Sequence, residues 1–487
     1  MTGNTNPPQG GPPHHFIVVV PGYMGSLLKD KHTGEIVWLD FPGLLKNPLK
    51  IGDAITNMLD KMIYPNPDLE PAGILDQVLV APPLFKQEQY IRLAEKLVEW
   101  GYKVDPEAPN ASDLCAYTFS YDWRQDNRIS GRQLGEFVAQ LEKRHPGAKA
   151  WLIGHSNGGI VSRWYIQKES GKDHVGRMFY MASPWDGAPK ALMVLMNGLE
   201  AMGLKHFNLW DLGARMQKLV RTFPSFYQLI PHKNPFLHDE DNEVVDLFND
   251  TRWLDNDKEK AMLADALQFN LDLEGDPGVE TICFYGTRKP TTTAGIASFV
   301  AGGKIEAVKW IETGAGDGTV PERSGIHPWL PKEDRLPFPA SHGDIYVNEG
   351  VLEFLRRELI DRYIGGRRAA LFLPDISVVF ESDKDFYTPG EKIGVWMQIS
   401  DPKTGQPLRK ATVKAWVSFR QALPGAAAVE GPEDSSALRL KERKTKAGYY
   451  KGALPAPTVE GYYNVVASVK VAQQPQMNLS ELVVVEK

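Results

Sequence analysis

Apolar and polar positions follow two different periods along this chain, and the change of period divides it. Phe16 to Val20 is a continuous apolar run that stops at Pro21-Gly22-Tyr23-Met24-Gly25. A run without a polar face is the pattern of a strand covered on both sides of a parallel sheet. Over 86–100, Tyr90, Leu93, Leu97 and Trp100 recur at helical spacing, and Gly101 ends the segment. Leu114 to Phe119 reads as a strand. Leu134, Phe137, Val138 and Leu141 mark the next helix, with Ser130 as its candidate cap. Another apolar run ends at Gly154. The helical period then returns through Ile160, Val161, Trp164 and Tyr165, with Gly171 as a candidate C-terminal stop. Strands over Arg177–Ala182 and Val279–Tyr285 continue the alternation. Strand and helix in turn predict a doubly wound, mostly parallel α/β sheet with right-handed crossovers.

Residues 190–275 break this rhythm and are too long for a simple connection. Met193, Leu195, Met196, Leu199, Met202, Leu204, Trp210 and Met216 suggest a helical cap above the sheet. Its methionines suit a flexible apolar ligand, or else serve as the cap's own core. A last helix is expected over Tyr346–Ile364. Beyond Pro374 the period becomes two: Ile393, Val395, Met397 and Ile399; Val413, Ala415, Val417 and Phe419; Tyr463, Val465, Ala467, Val469 and Val471. Turn residues separate these runs, as in an all-β sandwich of immunoglobulin-like type. The expected organisation is a disordered tail over 1–13, an α/β domain over 14–368 with its cap at about 190–275, and a sandwich over 371–487. His14 and His15 are read with the tail.

Composition narrows the function classes. The 487 residues are 42% hydrophobic and 24% charged, with a formal net charge of -6, which leaves no electrostatic footprint for nucleic acid. No apolar run is long enough to span a bilayer. Cys115 and Cys283 lie in apolar, strand-like runs and read as buried free thiols, so no disulfide framework is expected. Free thiols and a polar N-terminus without a leader pattern give a cytoplasmic expectation.

The chemistry centres on Trp151-Leu152-Ile153-Gly154-His155-Ser156-Asn157-Gly158-Gly159. A G-x-S-x-G sequence between strand and helix has the form of a nucleophile elbow, whose sharp turn exposes the serine and demands small neighbours. A serine hydroxyl needs an imidazole to take its proton and a carboxylate to orient that imidazole. Asp317, in Gly314-Ala315-Gly316-Asp317-Gly318, and His342, in Pro339-Ala340-Ser341-His342-Gly343, follow Ser156 in the required order. Asp344 and Asp122 are rival acids. Met24, in the loop after the first strand, and Asn157, after the nucleophile, are the expected oxyanion donors through their backbone N–H groups. Tyr23, Trp185 and Trp210 are candidate substrate contacts. His155 reads as a packing residue, and Tyr121-Asp122-Trp123-Arg124 as an ion-pair turn lining the site. His232, His238 and Asp239 lack the spacing of a recognised metal site. No metal and no organic cofactor is required.

In their order along the chain, VVVPGYMGSLL, YDWR, GHSNGG, ASPWDGAPKAL, FPSFYQLIP, YGTRKP, GDGTVP and the late SHG resemble the lecithin:cholesterol acyltransferase-like branch of the α/β-hydrolases. The resemblance spans about residues 16–360. It implies a serine esterase fold with a lipid-facing cap and acyl-ester substrates. It maps the nucleophile onto Ser156, the acid onto Asp317, the base onto His342 and the oxyanion donors onto Met24 and Asn157. The expected activity is acyl hydrolysis or transfer on a lipid ester through an acyl-enzyme. The expected partners are the lipid substrate, a lipid aggregate touching the cap, and a protein or polymer on the sandwich. The alternatives are a soluble short-chain carboxylesterase or amidase, and an inert binding protein that works through its sandwich.

Overall fold

The computed structural model describes residues 15–38, 51–74, 79–81, 85–87, 90–110, 112–198, 210–300, 305–361, 377–384, 386–400, 406–421, 432, 434–472 and 477–486. They form two compact units, one built mainly from residues up to Tyr346 and one mainly from Val347 onward. The expected tail and the expected junction at 368–371 lie outside the described residues.

The first unit is organised by a seven-stranded sheet. Its strands are β1 (His15–Val20), β2 (Lys103–Val104), β3 (Cys115–Thr118), β4 (Lys149–His155), β5 (Val175–Met181), β6 (Glu280–Gly286) and β7 (Arg335–Phe338). They lie in the order β7-β6-β5-β4-β1-β3-β2, and every pairing is parallel. All six residues of β1 are buried, which explains their lack of a polar face. The helices of the alternation include α1 (Ile91–Glu99), α2 (Asn127–Arg144) and α3 (Asn157–Lys168). After β1 the chain runs to one edge as β2, returns as β3 between that edge and β1, crosses to the other side of β1 as β4, and then builds toward the other edge. The carboxyl ends of β1 and β4, paired at Val20 and Gly154, therefore diverge into separate connections. Such a switch point opens a crevice above the sheet.

Several local expectations are corrected. His15 does not belong to the tail: it opens β1, buried, with its ring stacked on Trp151 at 3.8 Å. Residues 85–87 pair with 79–81, so the helix predicted from 86 begins at Ile91. Asp126, not Ser130, caps α2 by accepting the Arg128 N–H at 2.7 Å, while Ser130 is buried within the helix. Gly171 opens a short 3-10 turn instead of ending α3, which is closed by Glu169. The 190–275 region holds helices Pro189–Asn197, Trp210–Val220, Pro224–Tyr227 and α4 (Asp257–Asp272). It also holds a strand, Leu237–Asp239, which joins the hairpin Thr291–Phe299 and Ile305–Thr313 in a separate three-stranded sheet. Residues 199–209 of the expected apolar stripe lie outside the described residues.

In the second unit, Asn348 caps the helix Glu349–Arg356. Two mainly antiparallel sheets follow, one centred on Lys392–Ser400 and Tyr449–Pro455, the other on Thr412–Gln421, Gly461–Lys470 and Met477–Val485. Inward-facing Ile393, Val395, Val413, Ala415, Val465 and Val483 share one core, as their period of two requires. Both Cys115 and Cys283 are free and buried.

The close approach of β1 to α3 gives a direct test. A Cβ at Gly158 would collide with the main-chain oxygens of Val20 and Pro21, and neither is a side chain that can swing away. Gly158→Ala is expected to lower unfolding stability by roughly 2–3 kcal/mol in denaturant titration. An unchanged midpoint would mean that β1 and α3 do not meet there.

Candidate active site

The turn from β4 into α3 holds Ser156 at φ 51° and ψ −124°, a left-handed conformation that a side chain rarely adopts. The Ser156 N–H donates to the Met181 carbonyl at 2.9 Å, and the Gly159 N–H donates back to the Ser156 carbonyl at 3.0 Å. The strained residue is thus fixed by β5 on one side and by the first turn of α3 on the other.

Asp317 and His342 arrive from separate loops. The Asp317 side chain is buried, and its Oδ1 accepts the N–H groups of Thr319 at 2.9 Å and Val320 at 2.7 Å. Oδ2 is left for His342 Nδ1, at 2.8 Å. The His342 N–H also donates to the Asp317 carbonyl at 2.8 Å, so main chain and ring are held by one residue. A carboxylate can only accept, which places the His342 proton on Nδ1. Its Nε2 then presents a lone pair to Ser156 Oγ, at 2.9 Å. Asp344 is turned to the Ser341 hydroxyl and Asp122 to Arg124, so neither rival carboxylate pairs with His342.

The loop after β1 lies directly against this group. A Cβ at Gly22 would stand 2.8 Å from the Ser156 Cβ and 2.9 Å from His155 Nδ1. Met24 adopts φ 63°, and the Gly25 N–H closes the turn on the Gly22 carbonyl at 3.0 Å. Asn157 is the first residue of α3, where backbone N–H groups have no partner within the helix.

Two phenols that sequence reasoning missed hold these pieces together. Tyr121 donates its hydroxyl to the Pro21 carbonyl at 2.9 Å and accepts from Asn157 Nδ2 at 3.1 Å, linking the β1 loop to α3. Burial raises its pKa, which keeps the hydroxyl protonated. Tyr90 accepts the Gly22 N–H at 2.6 Å and lies 2.7 Å from His155 Nδ1. His155 Nε2 stands 2.9 Å from the His342 carbonyl. A carbonyl accepts, so His155 carries its proton on Nε2, and Nδ1 accepts from Tyr90. Gly22, Tyr90, His155 and His342 therefore form one directional relay. The YDWR segment supplies more than an ion pair: Trp123 Nε1 and the Tyr121 N–H bind Ser26 just past the loop. The advance signal in the sequence is the aromatic, charged stretch Tyr121-Asp122-Trp123-Arg124, read as a turn lining the site.

The candidate substrate contacts fare differently. Tyr23 packs against Trp123 at 4.9 Å and Phe226 at 5.1 Å. Trp185 is tied to the 323–329 segment, with Nε1 donating to the Arg323 carbonyl at 3.0 Å. Trp210 opens the helix Trp210–Val220, and its side chain lies outside the described residues. Among the described residues no cluster of three or more metal-ligating side chains is present, and no helix is long and apolar enough to cross a membrane.

With this geometry in view, residues 67–274 match the family profile of lecithin:cholesterol acyltransferase. The matched span contains Ser156 and stops before Asp317. The lysosomal phospholipase A and acyltransferase of Mus musculus is 25% identical over 73% of this chain and 92% of that protein. Its Bos taurus counterpart is 27% identical over 55% of this chain, which covers just under two thirds of that protein, 66%. The phosphatidylcholine-sterol acyltransferase of Gallus gallus is 26% identical over 48% of this chain and 55% of that protein. These matches overturn the cytoplasmic expectation, since the bovine and murine relatives are lysosomal by name. The expectation failed because two buried, shielded thiols carry no information about the redox state outside the protein.

Buried histidines make the fold acid-sensitive. Burial, reinforced by the field of His342, lowers the His155 pKa to about 3. Burial also lowers His327 to about 3. As pH falls below about 6.5 the unfolded chain takes up these protons first, so stability is complete above that value and is lost toward pH 3, by about 1.4 kcal/mol per pH unit for each histidine. Replacing His327 by Gln should make the loss between pH 6.5 and 5 smaller by roughly 2 kcal/mol in denaturant titrations. Identical pH slopes for wild type and variant would mean that His327 titrates normally.

Proposed function

We propose that this chain, which carries a lecithin:cholesterol acyltransferase family domain, is a serine acyl hydrolase and acyltransferase that works on lipid esters through an acyl-enzyme on Ser156. The observation that carries the proposal is the hydrogen-bonded series from Ser156 Oγ to His342 Nε2 at 2.9 Å and from His342 Nδ1 to Asp317 Oδ2 at 2.8 Å. The named relatives, a phospholipase A and acyltransferase and a sterol acyltransferase, support acyl-ester chemistry on lipids, and the first supports a lysosomal setting.

The reaction follows from the proton positions. Ser156 Oγ attacks the ester carbonyl carbon while its proton passes to His342 Nε2. Asp317 steadies the imidazolium through Nδ1–H and holds the ring in the productive tautomer. The carbonyl oxygen becomes an oxyanion and takes hydrogen bonds from the Met24 and Asn157 N–H groups. Such donors are worth roughly 3 kcal/mol each in the transition state. Collapse breaks the bond to the alkoxy leaving group, which departs with the proton from His342 Nε2. Water or an alcohol then enters, gives its proton to His342 and takes the acyl group from Ser156 by the same steps in reverse. Tyr23, adjacent to Met24, is read as a contact for the acyl chain. The cap over 190–275 is read as the lipid-facing part of a hydrolase domain spanning 14–368. The C-terminal unit is read as an immunoglobulin-like accessory domain for a protein or polymer.

Ser156→Ala is expected to reduce release and transfer of acyl groups from mixed phospholipid and glyceride vesicles at least a thousandfold, measured by lipid mass spectrometry with and without an added alcohol. Turnover near wild type would refute the assignment. Activity confined to short, water-soluble esters would instead make the protein a carboxylesterase. Tyr121→Phe removes the tie between the β1 loop and Asn157. It should lower kcat about five- to tenfold with KM little changed, as expected for one hydrogen bond that organises the transition state. A change in KM alone would point to a role in substrate binding.

A further inference from the structure

Beneath α3, on the side facing Ser183 and Trp185, lies a small cleft lined by Arg163, Tyr180, Gln228, Asn270 and His327. Each of these five side chains has a buried polar atom without a hydrogen-bond partner: Arg163 Nε, Tyr180 Oη, Gln228 Nε2, Asn270 Nδ2 and His327 Nδ1. Native interiors rarely leave one such atom unpaired, and here five share one space. Arg163 is 4% exposed. Its Nη2 reaches the carbonyls of Leu273 and Gly275, and its guanidinium lies 4.1 Å from the centre of the Trp329 ring. Among the described residues no carboxylate forms an ion pair with it. Glu274, on the same loop, is exposed and bonded to Lys233 at 2.6 Å.

The orientation of these groups is set from outside the cleft. Gln228 Oε1 accepts the Asn127 N–H at 3.0 Å, which leaves the amide nitrogen for the cleft. His327 Nε2 faces the Ser183 carbonyl at 2.9 Å and so carries the proton, which leaves a lone pair on Nδ1. The cleft therefore offers three N–H donors, a phenol and a single lone pair. One water accepts at most two hydrogen bonds, fewer than the three N–H donors require, and brings no charge to offset the guanidinium. A halide accepts from all the donors, brings no proton and supplies the countercharge that a buried guanidinium requires. Burial depresses the Arg163 pKa to about 10, in keeping with a cation that lacks its counterion. The space admits about one solvent-sized occupant.

We propose that this cleft binds one monovalent anion of halide size and that the anion braces α3 from below. The site is separate from the ester-cleaving reading and stands or falls without it.

The test uses the full chain and bromide. Crystals grown in bromide should show one anomalous peak in contact with Arg163 Nε and Asn270 Nδ2. Exchanging gluconate for bromide at constant ionic strength should raise Tm by about 2 °C per tenfold increase above the dissociation constant. Asn270→Asp places a carboxylate beside Arg163, and its Tm should no longer depend on bromide. Should that variant fail to fold, Tyr180→Phe serves instead and should weaken bromide binding about fivefold. Density for water alone in the cleft, bromide peaks only on the surface, a bromide response that survives in Asn270→Asp, or one that is undiminished in Tyr180→Phe would overturn the proposal.

Discussion

The conformation of Ser156 is the constraint from which the rest of the first unit follows. At φ 51° and ψ −124° the chain reverses from strand to helix within one residue and holds a side chain where L-residues are disfavoured by about 1–3 kcal/mol. Such strain persists only when its surroundings over-determine it. Here the Met181 carbonyl, the first turn of α3 and the carboxyl end of β1 do so. The reversal puts Ser156 Oγ at the switch point of the sheet. The same close approach that forbids a Cβ at Gly158 and Gly22 brings the β1 loop to within contact of Ser156.

Around that fixed point the polar groups satisfy one another without slack. Asp317 gives one oxygen to two backbone N–H groups and the other to His342. His342 is gripped again through its main chain, by Asp317 at its N–H and by His155 at its carbonyl. Tyr90 and Tyr121 carry the order onward to Gly22, Pro21 and Asn157. The proposed oxyanion donors and the proposed base therefore rest on one hydrogen-bonded frame. In a buried frame each member is costly to lose, because the partner it leaves is shut away from water.

Much of this is legible in the sequence where the pattern is strong. Phe16–Val20 and the run into Gly154 are apolar because they lie in the middle of a sheet covered on both faces. The order Ser156, Asp317, His342 brings three distant residues within hydrogen-bond reach, as their loops at the carboxyl edge suggest. The misses have physical causes. Thr291–Phe299 mixes threonine, glycine and alanine, so its pairing with Ile305–Thr313 leaves little apolar contrast. The three residues of Leu237–Asp239 are too few to show a period. Asp126 and Ser130 are both able to cap a helix, and only the Arg128 N–H decides between them. The Tyr90–His155 contact joins residues 65 positions apart and leaves no periodic trace. His15 reads as tail because a polar residue just after Pro13-His14 gives no sign that Trp151 stacks on it.

The central claim is that Ser156 Oγ, His342 and the N–H groups of Met24 and Asn157 converge on one reacting carbonyl. The most direct measurement is a crystal structure of the protein after reaction with a fluorophosphonate that mimics the tetrahedral intermediate. The account predicts a covalent Ser156 Oγ–phosphorus bond, with the phosphoryl oxygen about 2.7–3.1 Å from both backbone nitrogens. Phosphorus on another residue, or on Ser156 with its oxygen turned away from Met24 and Asn157, would contradict it.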